Sequence, residues 1–186
     1  MRITSGILRN RRFNVPKKEV RPTKGQVREA MFSSLGGSCE GMKVLDLFAG
    51  AGGLGLEAWS RGAESVTFVE QNTGVWRNLQ ENIQNLDHDE LGAVRCIKGD
   101  AITFLGQGKE PFDLILADPP YDLPEAMART LAGIVEHSVL TEDGLLVYEL
   151  RSSDAFEVSN DWKLLRDKVY GDTRVLMLKL DNEEKS

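Results

Sequence analysis

The sequence predicts an α/β fold: a doubly wound, mostly parallel seven-stranded sheet with a small basic hairpin-and-helix extension at its N-terminus. Three observations predict it. From residue 42 onward, short apolar runs alternate with helical stretches; a glycine-rich turn joins the first such run to the first helix; and the last third reads as a hairpin. The alternation implies right-handed β-α-β crossovers with helices on both faces of a parallel sheet. The terminal hairpin adds an antiparallel edge.

The elements follow in order. "RITSGILRNRRFNVP" alternates apolar and polar residues around Gly6 and Asn10, which suits a small ribbon ending at Pro16. In "RPTKGQVREAMFSSLGG", Thr23 and Gln26 have capping-box spacing, Val27, Ala30, Met31 and Leu35 recur at helical spacing, and Gly36-Gly37 can end the helix. Residues 1–36 are thus a basic ribbon-plus-helix extension, and 36–41 are a linker. The main domain, 42–180, reads "MKVLDLF", a helix from Gly53, "SVTFVE", a helix over 73–86, "AVRCIK", a short helix over 101–105, "FDLILAD", a helix over 124–137 and "GLLVYEL". "WKLLRDKVYG" and "TRVLMLKL", joined through Gly171-Asp172, close it as a hairpin. The polar residues 181–186 form a frayed tail.

At 186 residues, 41% hydrophobic and 28% charged, the chain matches one ordinary soluble domain, able to bury roughly 70% of its unfolded surface. No apolar run approaches a membrane span, and "MRITSGILRNRR" lacks a signal peptide's apolar stretch, so the expectation is a cytoplasmic protein with no membrane partner. Cys39 and Cys96 lack metal-like or redox-like spacing and read as incidental thiols. The net charge of −6 is unevenly spread. Residues 1–30 hold nine Lys/Arg against two acids, leaving 14 basic against 27 acidic in the rest. A basic arm on an acidic body can meet a polyanion locally, because the nearby field sets phosphate attraction; a solvated terminus fits the same numbers.

In "DLFAGAGGLGLEA", residues 46–58, Gly50, Gly52 and Gly55 match G-x-G-x-x-G between the first strand and the first helix. Such a loop lets a ligand approach the helix start closely. Glu70 ends the second strand, where a carboxylate can accept both hydroxyls of a ribose. A plain strand-to-helix turn and a solvated strand end are the alternatives. A dinucleotide would bring a pyrophosphate to this loop, whereas S-adenosylmethionine brings a sulfonium and an amino group. The acids Asp46, ahead of the loop, and Asp100 in "KGDA" suit the second, although Asp100 fits a helix cap equally well.

"ADPPYDL", residues 117–123, ends the strand "FDLIL" with a carboxylate, two prolines and an aromatic ring. Proline lacks an N–H, so the ladder stops and a stiff turn follows. The lone pair of an exocyclic nucleobase amine is delocalised into the ring, so the amine attacks a methyl group poorly unless its hydrogens are held. Asp118 and the Pro119 carbonyl can accept those hydrogens, and Tyr121 can stack on the base. A nicotinamide-dependent oxidoreductase gives "DPPY" no role. A non-catalytic RNA-binding module that kept the fold predicts cofactor-free binding and no methylated product.

The order "DLFAGAGGLGLEA", "VE", "GDA", "ADPPY" resembles the class I S-adenosylmethionine-dependent methyltransferases, with "DPPY" similar to the branch acting on adenine N6, guanine N2 or glutamine N5. "MRITSGILRNRRF", "RPTKGQVREAMF" and "YGDTRVLML" extend the resemblance, over essentially the whole chain, to the bacterial family that methylates guanine N2 in small-subunit (16S) ribosomal RNA. Asn10 departs from that family's usual glycine, and Lys24-Gly25 from a commoner polar pair. The resemblance implies a Rossmann-like methyltransferase fold. It implies cofactor contacts at Asp46, Phe48, Ala49, Gly50, Gly52, Glu70, Asp100, Ala101 and Asp118, with S-adenosylhomocysteine as product and no metal. It implies catalytic roles for Asp118, Pro119 and Tyr121, and RNA contacts at Arg9, Arg11, Arg12, Arg21, Thr23 and Arg28. The expected partner is ribosomal RNA or an assembling small subunit, met by a monomer in a bacterial cytoplasm.

Overall fold

The computed structural model describes residues 1–16, 25–107, 110–120, 123 and 125–182. After α1 (Gly25–Ser34) the chain alternates through β1 (Lys43–Leu47), α2 (Gly53–Ser60), β2 (Ser65–Glu70), α3 (Thr73–Leu86), β3 (Ala93–Lys98), α4 (Ala101–Leu105), β4 (Phe112–Ala117), α5 (Ala126–Glu136) and β5 (Leu140–Arg151). It ends in the hairpin β6 (Trp162–Tyr170) and β7 (Thr173–Leu180). The sheet order is β3-β2-β1-β4-β5-β7-β6. The first five strands in that order are parallel, β7 runs antiparallel to β5, and β6 antiparallel to β7. The doubly wound sheet and its antiparallel edge are as the sequence predicts.

Strand residues alternate between two cores because side chains on a pleated strand point to opposite faces. Val44, Val66, Phe68, Leu114 and Val147 pack with α1, α2, α3 and the N-terminal residues Ile3, Leu8 and Phe13. Leu45, Leu47, Val69, Ile115, Ala117 and Tyr148 pack with α4 and α5. The N-terminal ribbon therefore shares a core with the main domain.

Three elements differ in extent from the sequence reading. The ribbon holds one antiparallel bridge, Arg2 with Arg12, because the turn at Gly6 folds onto the end of α2, where Ile7 N–H donates to the Ser60 carbonyl at 2.8 Å. The strand read as "GLLVYEL" begins earlier, at Leu140, which pairs with Phe112 before the register shifts to Leu145 opposite Leu114. The helix read over 124–137 spans Ala126–Glu136, preceded by turns in which Leu123 N–H donates to the Pro120 carbonyl and Ala126 N–H to that of Leu123. Gly36 and Gly37 end α1 at φ of 88° and 81°, the left-handed region glycine enters without penalty.

Order reverses between β1 and β4, the switch point outside whose carboxyl ends open α/β sheets bind ligands. Leu47 pairs with Val69 on one side and Ala117 on the other, which sets Phe48, Glu70 and Asp118 one residue beyond those partners at the same end of the sheet.

Candidate functional site

The loop from β1 to α2 is built by close approach. Gly55 sits where a Cβ would lie 2.2 Å from the Phe68 ring and 2.8 Å from Asp46 Oδ2, so helix and strand can pack this tightly only through glycine. Gly55 N–H donates to Asp46 Oδ2 at 2.8 Å, and the strand carboxylate thereby serves the first turn of α2. Asp46 is 1% exposed. Burial pushes its carboxyl up to about 8, against the pull of the Gly55 N–H, and the Asp118 and Glu70 charges add to the rise. Phe48 has φ 60°, an uncommon conformation for a bulky residue, and Gly50 follows at 55° and Gly52 at 89°. The strand exit is therefore tightly wound, with Ala49 N–H bound to the Val69 carbonyl at 2.9 Å.

Glu70 closes the loop from the next strand. Gly50 N–H donates to its Oε2 at 2.9 Å and Asn72 N–H to its Oε1 at 2.7 Å, so the carboxylate is fixed in one orientation with lone pairs to spare. Asp100 is the N-cap of α4, accepting from both the backbone N–H and the hydroxyl of Thr103 at 2.8 Å through Oδ1. The cap role that fits its sequence position is therefore filled. Oδ2 lies outside that cap, and Ala101 is the buried first residue of α4.

Asp118, Pro119 and Pro120 leave β4 directly beside Tyr148 of β5, the partner of Ala117. Tyr148 is buried, and burial together with the Asp118 charge raises its phenol well above the ordinary range, so it stays protonated. Asp118 thus acts electrostatically on Asp46 in the glycine loop and on Tyr148 across the strand pair. A cavity of about 400 Å³ opens here, lined by Pro119, Pro120, Leu123, Met127, Tyr148, Glu149, Leu150, Ser153, Asp154 and Ala155. Sequence reasoning missed its far wall, Tyr148 to Ala155. The parallel pairing of β4 with β5 was the available signal, since it brings whatever ends β5 beside "DPP". Tyr121 lies outside the described residues.

Comparison with known proteins joins this geometry to a lineage. The model of the family described as conserved hypothetical protein 95 matches residues 1–179. Ribosomal RNA small subunit methyltransferase D of Escherichia coli is 32% identical over 173 residues, 92% of this chain and 85% of that protein. YlbH of Bacillus subtilis is 34% identical over 182 residues, 96% and 98% of the two chains. The chain belongs to this methyltransferase D family. The solved structure of the Escherichia coli protein yhhF superposes with a TM-score of 0.84 at 30% identity, covering 98% of this chain and 99% of that one.

The family's basic front end divides in the structure. Arg9, Arg11 and Arg12 are exposed, with Arg11 Nη2 bound to the Asn85 carbonyl at 3.2 Å. Asn10 between them has φ 69°, which explains how it stands in for the family's glycine: asparagine tolerates the left-handed region best among the other residues. Arg28 sits differently from the ribbon arginines. It is 1% exposed, its Nε lies 3.5 Å from Glu57 Oε2 and its Nη2 donates to the Arg2 carbonyl at 2.7 Å, so in this structure it faces the core. Glu57, 0% exposed, also accepts from Thr4 Oγ1 at 2.5 Å, Ser5 N–H at 3.1 Å and Arg61 Nη2 at 3.1 Å. This cluster, invisible to motif reading, fastens the ribbon to α2. Arg21 and Thr23 lie outside the described residues.

The donor set at the loop can be tested against the cofactor that the sequence resemblance implies. Asp118 and Glu70, at the carboxyl ends of the two strands that flank β1, both act electrostatically on Asp46. A pyrophosphate placed there would meet the negative charge of Glu70 and Asp118, whereas a sulfonium and an ammonium group meet opposite charge. The residues fit S-adenosylmethionine, with Glu70 available to its ribose and Asp46, in β1 just ahead of the glycine loop, on the side of its amino group. Among the described residues no cluster of side chains has a metal-binding arrangement, and no helix is long and apolar enough to cross a membrane.

Proposed function

We propose that this chain methylates the N2 amine of a guanine in small-subunit (16S) ribosomal RNA. One observation carries the reading. Asp118 and the two prolines end β4 between the glycine loop and a cavity large enough for a flipped base, in a family whose Escherichia coli member is named for small-subunit ribosomal RNA methylation.

S-adenosylmethionine, when bound, would supply a methyl group carried on its sulfonium sulfur. The chain's own contribution is alignment. Asp118 and the Pro119 carbonyl hold the amine hydrogens, which turns the nitrogen lone pair away from conjugation with the ring; Tyr121 stacks on the base. Glu70 holds the ribose end and Asp46 the amino-acid end, so the donor cannot slide. Arg9, Arg11 and Arg12 meet phosphates, and the target nucleotide leaves its stack to enter the cavity. The protein works as a monomer in a bacterial cytoplasm, on free RNA or an assembling subunit.

Inosine tests the acceptor, because it keeps guanine's ring and O6 but lacks the 2-amino group. RNA carrying inosine at the mapped position binds with modest loss and accepts no methyl group. Label arriving on inosine, or N6-methyladenosine in the digested normal product, removes the guanine assignment.

A further inference from the structure

The motif at the end of β4 serves any flat amine, so on its own it leaves guanine and adenine undistinguished. In both bases the carbon that bears the amine is flanked by ring atom N1. In guanine N1 carries a hydrogen; in adenine it carries a lone pair. Whatever protein group faces that neighbouring atom decides between them, and a carboxylate there attracts the first and repels the second.

Two carboxylates line the cavity that begins at Pro119, next in sequence to Asp118: Glu149 and Asp154. Glu149 is 3% exposed, accepts from Thr173 Oγ1 at 3.5 Å, and acts electrostatically on the buried Arg28 of α1. Asp154 is partly exposed, and apart from a long 3.5 Å contact from Ser153 Oγ its carboxylate accepts no hydrogen bond among the described residues. Its segment is nonetheless well held. Asp154 N–H donates to the Arg151 carbonyl at 3.1 Å and Ser152 N–H to the Asp172 carbonyl at 2.9 Å. Two residues on, Phe156 packs against the core shared with α4 and α5, with the Arg174 guanidinium 4.6 Å from its ring centre.

The geometry points to Asp154 as the specificity-determining residue, accepting the N1–H of the target guanine while Asp118 accepts from its amine. This rests on the guanine reading above. The cavity wall opposite the prolines then reads the adjacent atom of the same base edge, and adenine is refused because its N1 lone pair would face a carboxylate.

The test uses the full-length protein, its Asp154→Asn variant, and RNA carrying guanine or 2-aminopurine at the mapped position. 2-Aminopurine keeps the 2-amino group but has a lone pair on N1. The wild type prefers guanine by about tenfold or more, the size of one good base-edge contact. Asp154→Asn, whose amide N–H can donate to that lone pair, lowers kcat/KM on guanine and raises it on 2-aminopurine, so the preference shrinks at least tenfold or reverses. S-adenosylmethionine affinity stays unchanged, and a merely structural residue would depress both substrates alike. If the product is N2-methylguanosine and the two substrates keep their ratio in the variant, Asp154 has no such role and the guanine reading stands. If the product is N6-methyladenosine, the guanine reading falls and this inference with it.

Discussion

Glu70 accepts the backbone N–H of Gly50 at 2.9 Å, a bond that spans twenty residues of sequence and locks the end of one strand to the glycine loop of its neighbour. The carboxylate is thereby aimed before any ligand arrives. Preorganisation of this kind lowers the ordering cost of binding.

Replacing Glu70 by Ala removes charge-assisted hydrogen bonds to ribose worth roughly 1.5–3 kcal/mol, an expected loss of about tenfold to a hundredfold in S-adenosylmethionine affinity. Calorimetric titration of the folded variant checks this. An unchanged dissociation constant would show that Glu70 serves only the loop.

Asp118→Ala should nearly abolish methyl transfer while leaving cofactor and RNA binding largely intact, because its partner is an amine whose charge develops in the transition state. Single-turnover rates alongside binding curves separate the two effects. Near-normal turnover would take Asp118 out of the mechanism.

Asp46 links the site to stability. Its carboxyl titrates near 8 in the fold, pushed there by burial, against about 3.9 in an unfolded chain. A folded value above the unfolded one gives stability that is fully present below about pH 4 and lost as pH rises toward 8. Asp46→Asn, which keeps an acceptor for Gly55 N–H, should therefore gain on the wild type in urea midpoint between pH 5 and 8. A difference between the two that stays flat over that range would mean Asp46 ionises normally.

Most of the fold was legible because each local signal agreed with the whole: strand-length apolar runs, a glycine turn at residues 50–55, and a hairpin at Gly171-Asp172. The positions of Asp46 and Glu70 were legible for the same reason, since one lies near the end of β1 and the other ends β2, strands whose parallel pairing the alternation already implied. What stayed hidden depends on partners distant in sequence. Arg28 reads as one more basic residue until Glu57, on another helix, draws it inward. Asp154 sits in no motif, and only the pairing of β4 with β5 brings its segment to the prolines.

The divided basic arm yields a paired prediction. Arg9, Arg11 and Arg12 lie exposed on the ribbon, so each that meets a phosphate releases counterions on binding. Changing all three to Gln should weaken RNA binding and reduce the slope of log affinity against log salt by about 0.7 for each phosphate that is no longer neutralised. Cofactor affinity should not move. Arg28→Met should behave in the opposite way. Removing one partner of a buried pair leaves the other uncompensated, at a cost on the order of 3–5 kcal/mol; here the low end applies, because Arg61, Thr4 and Ser5 still serve Glu57. That variant loses thermal stability while, below its melting range, its salt slope matches the wild type. If Arg28→Met flattens the salt dependence as much as the triple substitution does, Arg28 reaches RNA after all and the ribbon must open when RNA binds.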